Sequence, residues 1–108
     1  MSSIAPPRAQ LEELAARAMR ASEAVGVVLF GSHASGRAAG GSDVDLALVF
    51  DSEQQMRPGV RRAQRALWPR EVPLDLVPIT VRSLREGGSL LAREIARSGV
   101  VLHGPRFF

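Results

Sequence analysis

Fifteen residues in the first half of the chain combine types and spacings suited to phosphate chemistry: Gly31-Ser32-His33-Ala34-Ser35-Gly36-Arg37-Ala38-Ala39-Gly40-Gly41-Ser42-Asp43-Val44-Asp45. A Gly-Ser pair follows an apolar run. Across ten intervening residues, Asp43-Val44-Asp45 leads into a second apolar run. Side chains alternate along a strand, so two acids separated by one residue point the same way. Like charges held parallel are costly unless a cation lies between them. A Gly-Ser turn offers backbone N–H groups and a hydroxyl to an anion. A phosphate cradle beside a divalent-metal clamp points to phosphoryl or nucleotidyl transfer.

Asp75 is the third piece. It stands between Leu74 and Leu76 in a segment bounded by Pro73 and Pro78. A lone Asp in an apolar strand is unfavourable unless it is paired, ligated or solvated. If its strand lies beside the Asp43–Asp45 strand, three carboxylates converge. Mg²⁺ takes oxygen ligands from carboxylates, waters and substrate phosphates. Two such ions about 4 Å apart serve an in-line displacement. One holds the nucleotide phosphates and the other activates the attacking hydroxyl, with Asp75 as ligand or general base.

Each residue also has a plainer reading. Taken alone, Asp43 suits a turn or cap after Gly-Gly-Ser, and Asp45 and Asp75 suit solvated strand positions. Gly31 and Ser32 suit an ordinary strand-to-helix turn with Ser as N-cap, a geometry that also binds phosphate. It is the combination that favours a site. Arg37 reaches a nucleotide phosphate or simply faces water. His33 reads as incidental, Ser42 as a turn residue that braces the carboxylates, and His103 has no role. Gly31-x-x-x-x-Gly36-Arg37-Ala38 has the glycine spacing of a P-loop, but Lys and Ser/Thr are missing from the places that motif requires. The chain contains no Lys at all.

These residues need elements to position them. Leu11, Leu14, Ala15, Ala18, Met19 and Ser22 fall on one face of a helix opened by Pro6-Pro7, with Gly26 as its stop. Val27 to Phe30 is a short buried strand. Gly31-Ser32 turns into a short helix ended by Gly36 or Gly40-Gly41. Val44, Leu46, Leu48 and Phe50 alternate with the residues between them, a strand with one apolar face and one bearing the acids. Pro58 to Trp68 reads as a helix with Val60, Ala63 and Leu67 inward and Arg61, Arg62 and Arg65 in solvent. Leu74 to Ile79 is a strand, Ser89 to Ser98 a helix stopped by Gly99, and Val100 to Leu102 a last strand. Trp68 is expected in the core, and Phe107–Phe108 reads as a flexible tail. The order predicts an α+β (α/β) fold, a small mixed β-sheet flanked by helices.

The chain of 108 residues is expected to form one domain over 1–108. It is 45% hydrophobic and 23% charged, which argues against disorder. No apolar stretch is long enough to span a membrane, and the N-terminus lacks a signal-peptide pattern. A cytoplasmic location is therefore expected. The absence of Cys excludes disulfides, zinc–thiolate sites and thiol nucleophiles. All 14 basic residues are Arg, and the net charge is +3. No aromatic platform accompanies that charge, so nucleic acid is not the expected partner.

At Gly31-Ser32, Asp43-Val44-Asp45-Leu46 and Asp75 the chain resembles the DNA-polymerase-beta-like nucleotidyltransferases. It looks most like the minimal nucleotidyltransferases (MNT), the antitoxin halves of HEPN/MNT toxin–antitoxin pairs. Gly88 to Leu102 also looks typical of that group. The resemblance implies a mixed sheet flanked by helices, ATP as donor and Mg²⁺ as cofactor, in two copies. It implies transfer of AMP to a tyrosine of a partner HEPN toxin. On this chain Asp43, Asp45 and Asp75 would be catalytic and metal-binding. Gly31 and Ser32 would hold the triphosphate, and Arg37, from its own position in the motif, is the further candidate for nucleotide binding. Transfer to a small molecule or RNA, or neutralisation by binding alone, remain the alternatives.

Overall fold

The computed structural model describes residues 6–38 and 42–105. Gly40-Gly41 and Phe107–Phe108, to which the sequence reading gave a stop and a tail, lie outside the described residues.

Helix α1 (Arg8–Ser22) begins after Pro7, where a missing N–H costs nothing. Leu11, Leu14, Ala15, Ala18 and Ser22 form its buried stripe. It ends at Glu23, whose backbone takes a left-handed φ of 62° and donates its N–H to Met19 O at 3.0 Å. The stop is therefore Glu23 and not Gly26, which is the first residue of β1 (Gly26–Phe30). A four-residue helix α2 (Ser32–Ser35) follows, closed by Gly36 at a φ of 78°. Then come β2 (Val44–Phe50), a 3-10 turn at Glu53–Gln55, α3 (Met56–Ala66) and β3 (Leu74–Thr80). Helices α4 (Val81–Glu86) and α5 (Leu90–Ser98) and strand β4 (Val100–His103) complete the order.

The sheet runs β3-β2-β1-β4. β1 pairs antiparallel with β2 and β4, while β2 and β3 are parallel. A parallel pair needs a crossover, which α3 supplies. Period-two alternation then sorts the strands onto two faces. Val27, Leu29, Val44, Leu46, Leu48 and Phe50 face α1 and α3. Val28, Phe30, Ala47, Val49 and Ile79 face Leu84 of α4 and Ala92 and Ile95 of α5. The acid-bearing face of β2 is thus covered beyond its first turn, with Ala47 and Val49 fully buried. The mixed sheet flanked by helices stands as expected. α4 is an addition, a short helix nucleated by the Thr80 side chain accepting from Ser83 N.

Three arginines lock the frame. Arg62 does not lie in solvent as expected: it donates to the carbonyls of Ala21 (3.0 Å) and Ser22 (3.1 Å) and pairs with Glu23. It thereby satisfies acceptors that the end of α1 leaves open. Arg17 joins α1 to Ala66 O at 3.0 Å and to Glu71 at 2.9 Å. Arg70 donates to Leu74 O at 3.1 Å, bracing the turn into β3. Gly59 in α3 lies against the Phe50 ring, which a side chain there would displace. Trp68 is 73% exposed rather than in the core, because α3 turns its neighbours Ala63 and Leu67 inward. Pro78 sits within the edge strand β3, where a missing N–H is tolerated.

Candidate active site

The site forms where β1 ends and β2 and β3 begin. Asp45 lies opposite Phe30 in the β1–β2 register and beside Asp75 in the β2–β3 register. Paired positions on neighbouring strands share a face, and strands stand about 4.8 Å apart. Asp45 and Asp75 are therefore side by side, on the face that α5 covers. Asp43 is exposed, just before β2 begins. Among the described residues, no three acidic or histidine side chains stand close enough to share one ion. The structure brings Asp45 and Asp75 together and leaves Asp43 at the rim.

Gly31 links this pair to the turn. Its φ of 74° and ψ of −155° belong to a region open essentially to glycine alone. A Cβ there would also collide with the Asp45 carboxylate. The residue type is thus fixed twice, by conformation and by space. Gly31 O accepts from Ala34 N and Ser35 N, both at 3.1 Å, which starts α2 with Ser32 at its head. A helix leaves its leading N–H groups without intrahelical acceptors, and here they belong to the turn beside Asp45.

His33 is not incidental. Its Nε2–H donates to Ser42 O at 3.0 Å, bridging α2 to the residue before Asp43. Its only sign in the sequence is a polar ring one position beyond Ser32. Glu94 was also missed. It lies half-buried on α5, one helical step before buried Ile95, and its charge acts on Asp45. Only the register of α5 against the sheet shows which way it faces. His103 is also partnered: its Nε2–H donates to Glu12 O at 3.2 Å, tying β4 to α1.

Asp45 holds its proton to a higher pH than an ordinary Asp. Burial is the main cause, followed by the charges of Asp75, Asp43 and Glu94, while the His33 imidazole acts the other way. Crowded carboxylates of this kind are what a hard divalent cation relieves, and their oxygens are the donors it takes. Beside them a cavity of about 540 Å³ opens between the Gly31–Ser32 turn and α5, with Arg37, Glu94 and Arg97 on its walls. A second hollow of about 460 Å³, between α3 and Pro78, involves none of the three acids.

Fold and site together define a nucleotidyltransferase domain. The family model described as polymerase beta, nucleotidyltransferase matches residues 12–105, and the chain belongs to that family. Among solved structures, the fold is shared with a chain of a toxin–antitoxin crystal structure with AMP-PNP. That match has 22% identity and a TM-score of 0.59, and covers 88% of this chain and 74% of the other. A mutant MntA-HpeT toxin–antitoxin structure gives 18% identity and a TM-score of 0.56, over 94% and 76% of the two chains. A tri-AMPylated Shewanella oneidensis HEPN toxin in complex with its MNT antitoxin gives 18% and 0.55, over 92% and 74%. No curated protein sequence matches the chain. No described helix is long and apolar enough to cross a membrane.

Proposed function

We propose that this protein transfers AMP from ATP to a hydroxyl, and that the hydroxyl is a tyrosine of a HEPN-type toxin which it thereby silences. The observation that carries this reading is the in-register placement of Asp45 and Asp75 beside the Gly31–Ser32 turn, in a chain of the nucleotidyltransferase family. The HEPN partner is supported by the shared fold with the chains of the toxin–antitoxin structures.

Asp45 and Asp75 would hold Mg²⁺, with Asp43 drawn in from the rim, and the ion would supply charge neutralisation for the phosphates and acidify a nearby hydroxyl. The backbone of Gly31 and Ser32 receives the triphosphate, and Arg37 adds positive charge at the same cavity. The acceptor oxygen forms a bond to the α-phosphorus as the bond from that phosphorus to the bridging oxygen breaks. Pyrophosphate leaves, and the acceptor proton passes to the Asp75 carboxylate. Asp75, exposed on the edge strand, is where a protein-borne hydroxyl can reach.

Incubating the protein with ATP labelled in the α-phosphate, Mg²⁺ and a co-encoded HEPN protein should label a tyrosine of that protein. The Asp43→Ala variant should not. Absence of transfer, with wild type and variant indistinguishable, would overturn this reading.

A further inference from the structure

The cavity beside Asp45 has two walls, and only one of them belongs to the Gly-Ser motif. The other is α5. Ala92 and Ile95 anchor that helix in the core, which leaves Glu94, Arg97 and Ser98 along the edge facing the Gly31–Ser32 turn. The charges along this edge are segregated. Glu94 is half-buried and acts on the Asp45 side. Arg97 lies one helical turn further out and is exposed. Neither Arg97 nor Arg37, on the opposite wall, makes an ion pair among the described residues. Arg8, Arg17, Arg62 and Arg82 are held by glutamates, and among the arginines without an ion pair Arg37 and Arg97 are set apart by lining this cavity from opposite walls. The cavity is thus acidic at its inner end and basic at its mouth, a polarity matching a nucleotide whose cation sits inward and whose free phosphate charge points outward. Its volume of about 540 Å³ falls within the size range of small-ligand sites.

We infer that α5 supplies the second wall of the donor site, with Arg97 as the residue that grips the terminal phosphates across from Arg37 and makes the site prefer a nucleoside triphosphate to a monophosphate. This rests on the proposed nucleotidyl transfer for the identity of the donor, and it adds a binding residue to it. A guanidinium suits the task because it stays charged and presents several donors to phosphate oxygens. The outward end of the cavity leaves the β- and γ-phosphates beside Arg97, while the α-phosphate stays near Asp45. AMP has no group that reaches it.

The test is equilibrium binding of a non-hydrolysable ATP analogue and of AMP, each with Mg²⁺, to the intact protein. Arg97→Ala should weaken the analogue about tenfold and AMP less than about twofold, with Arg97→Lys in between. Arg93→Ala is the control: Arg93 lies on the same helix, away from the cavity, and its Nε donates back to Ser89 O at 3.4 Å. Its removal should leave both affinities unchanged. Thermal melting should not move for Arg97→Ala, since the side chain is exposed. Equal weakening of both ligands with a lowered Tm would make Arg97 a mere support for the end of α5. No weakening of either would remove it from the site. Both results overturn the inference while leaving nucleotidyl transfer intact. A wild-type protein that binds no nucleotide would overturn inference and transfer together. Arg97-dependent binding without transfer to a HEPN protein would overturn only the acceptor.

Discussion

The two carboxylates that meet across β2 and β3 live in different surroundings. Asp45 is on an interior strand, half-buried, hemmed by the Gly31 backbone and within the field of Glu94 and His33. Asp75 is one strand away in perfect register, but on the sheet edge and exposed. The first side is built closely, as suits a small charged ligand that must be oriented and partly dehydrated. The second is left open, as suits an acceptor that arrives on another molecule. In the transfer proposed above, this register pair would divide the work between a fixed donor side and an accessible acceptor side.

Replacing the acids should break this division most severely. Asp45→Asn and Asp75→Asn should each reduce AMP transfer by about 100-fold or more, read from single-turnover labelling. They should differ in melting experiments: in metal-free protein at neutral pH, Asp45→Asn should raise Tm more than Asp75→Asn, because it removes a buried charge as well as the repulsion that the two share. Equal stabilisation by both would erase the contrast in their surroundings. Gly31→Ala should come next, with transfer down by about 100-fold. It forces a side chain into a left-handed position and against Asp45, and its Tm should fall as well. A Gly31→Ala protein with normal ATP affinity would show the turn to be looser than its geometry indicates.

His33→Ala should have a smaller effect, about tenfold on transfer, because it removes the tie from α2 to Ser42 O beside Asp43 while both carboxylates, Asp45 and Asp75, stay in place. The smallest effect should be one of pH on stability. The folded protein holds the Asp45 proton to a higher pH than the unfolded chain, whose carboxyl titrates near 3.8. Folding therefore takes up a proton between 3.8 and the raised value, and the contribution of Asp45 to stability falls as pH rises through that window. The Tm advantage of Asp45→Asn in metal-free protein should be absent below it, open across it and persist above. Mg²⁺ should close the gap by stabilising the wild type.

Much of the site was readable because it is local. The alternation from Val44 to Phe50 fixes β2 and places Asp45 on it, and Gly31-Ser32 announces a turn at the end of an apolar run. Asp75 could be noticed as an acid in an apolar segment, but its partnership with Asp45 depends on a parallel register that only the α3 crossover sets. His33 and Glu94 were not legible, since each acts through a neighbour distant in sequence. Helix α4, at six residues, is too short for periodicity, and its only local sign is the Thr80–Ser83 cap. Arg62 resembles its neighbours Arg61 and Arg65 on a helical wheel. What distinguishes it is the end of α1, 40 residues earlier for Ser22, which needs donors. Trp68 was misplaced because size suggests burial, whereas the core beneath α3 is already filled by Ala63, Leu67 and Phe50.

Pro78 has a bearing on solubility. A sheet with an open flank offers unpaired backbone groups to any strand that passes, including one from another copy. β3 is that flank here, and the exposed Asp75 stands on it. An imino acid in mid-strand withholds one donor from the outer row, so a foreign strand cannot complete a continuous ladder along it. The edge can therefore admit a side chain from a partner while discouraging strand addition, which separates access from aggregation.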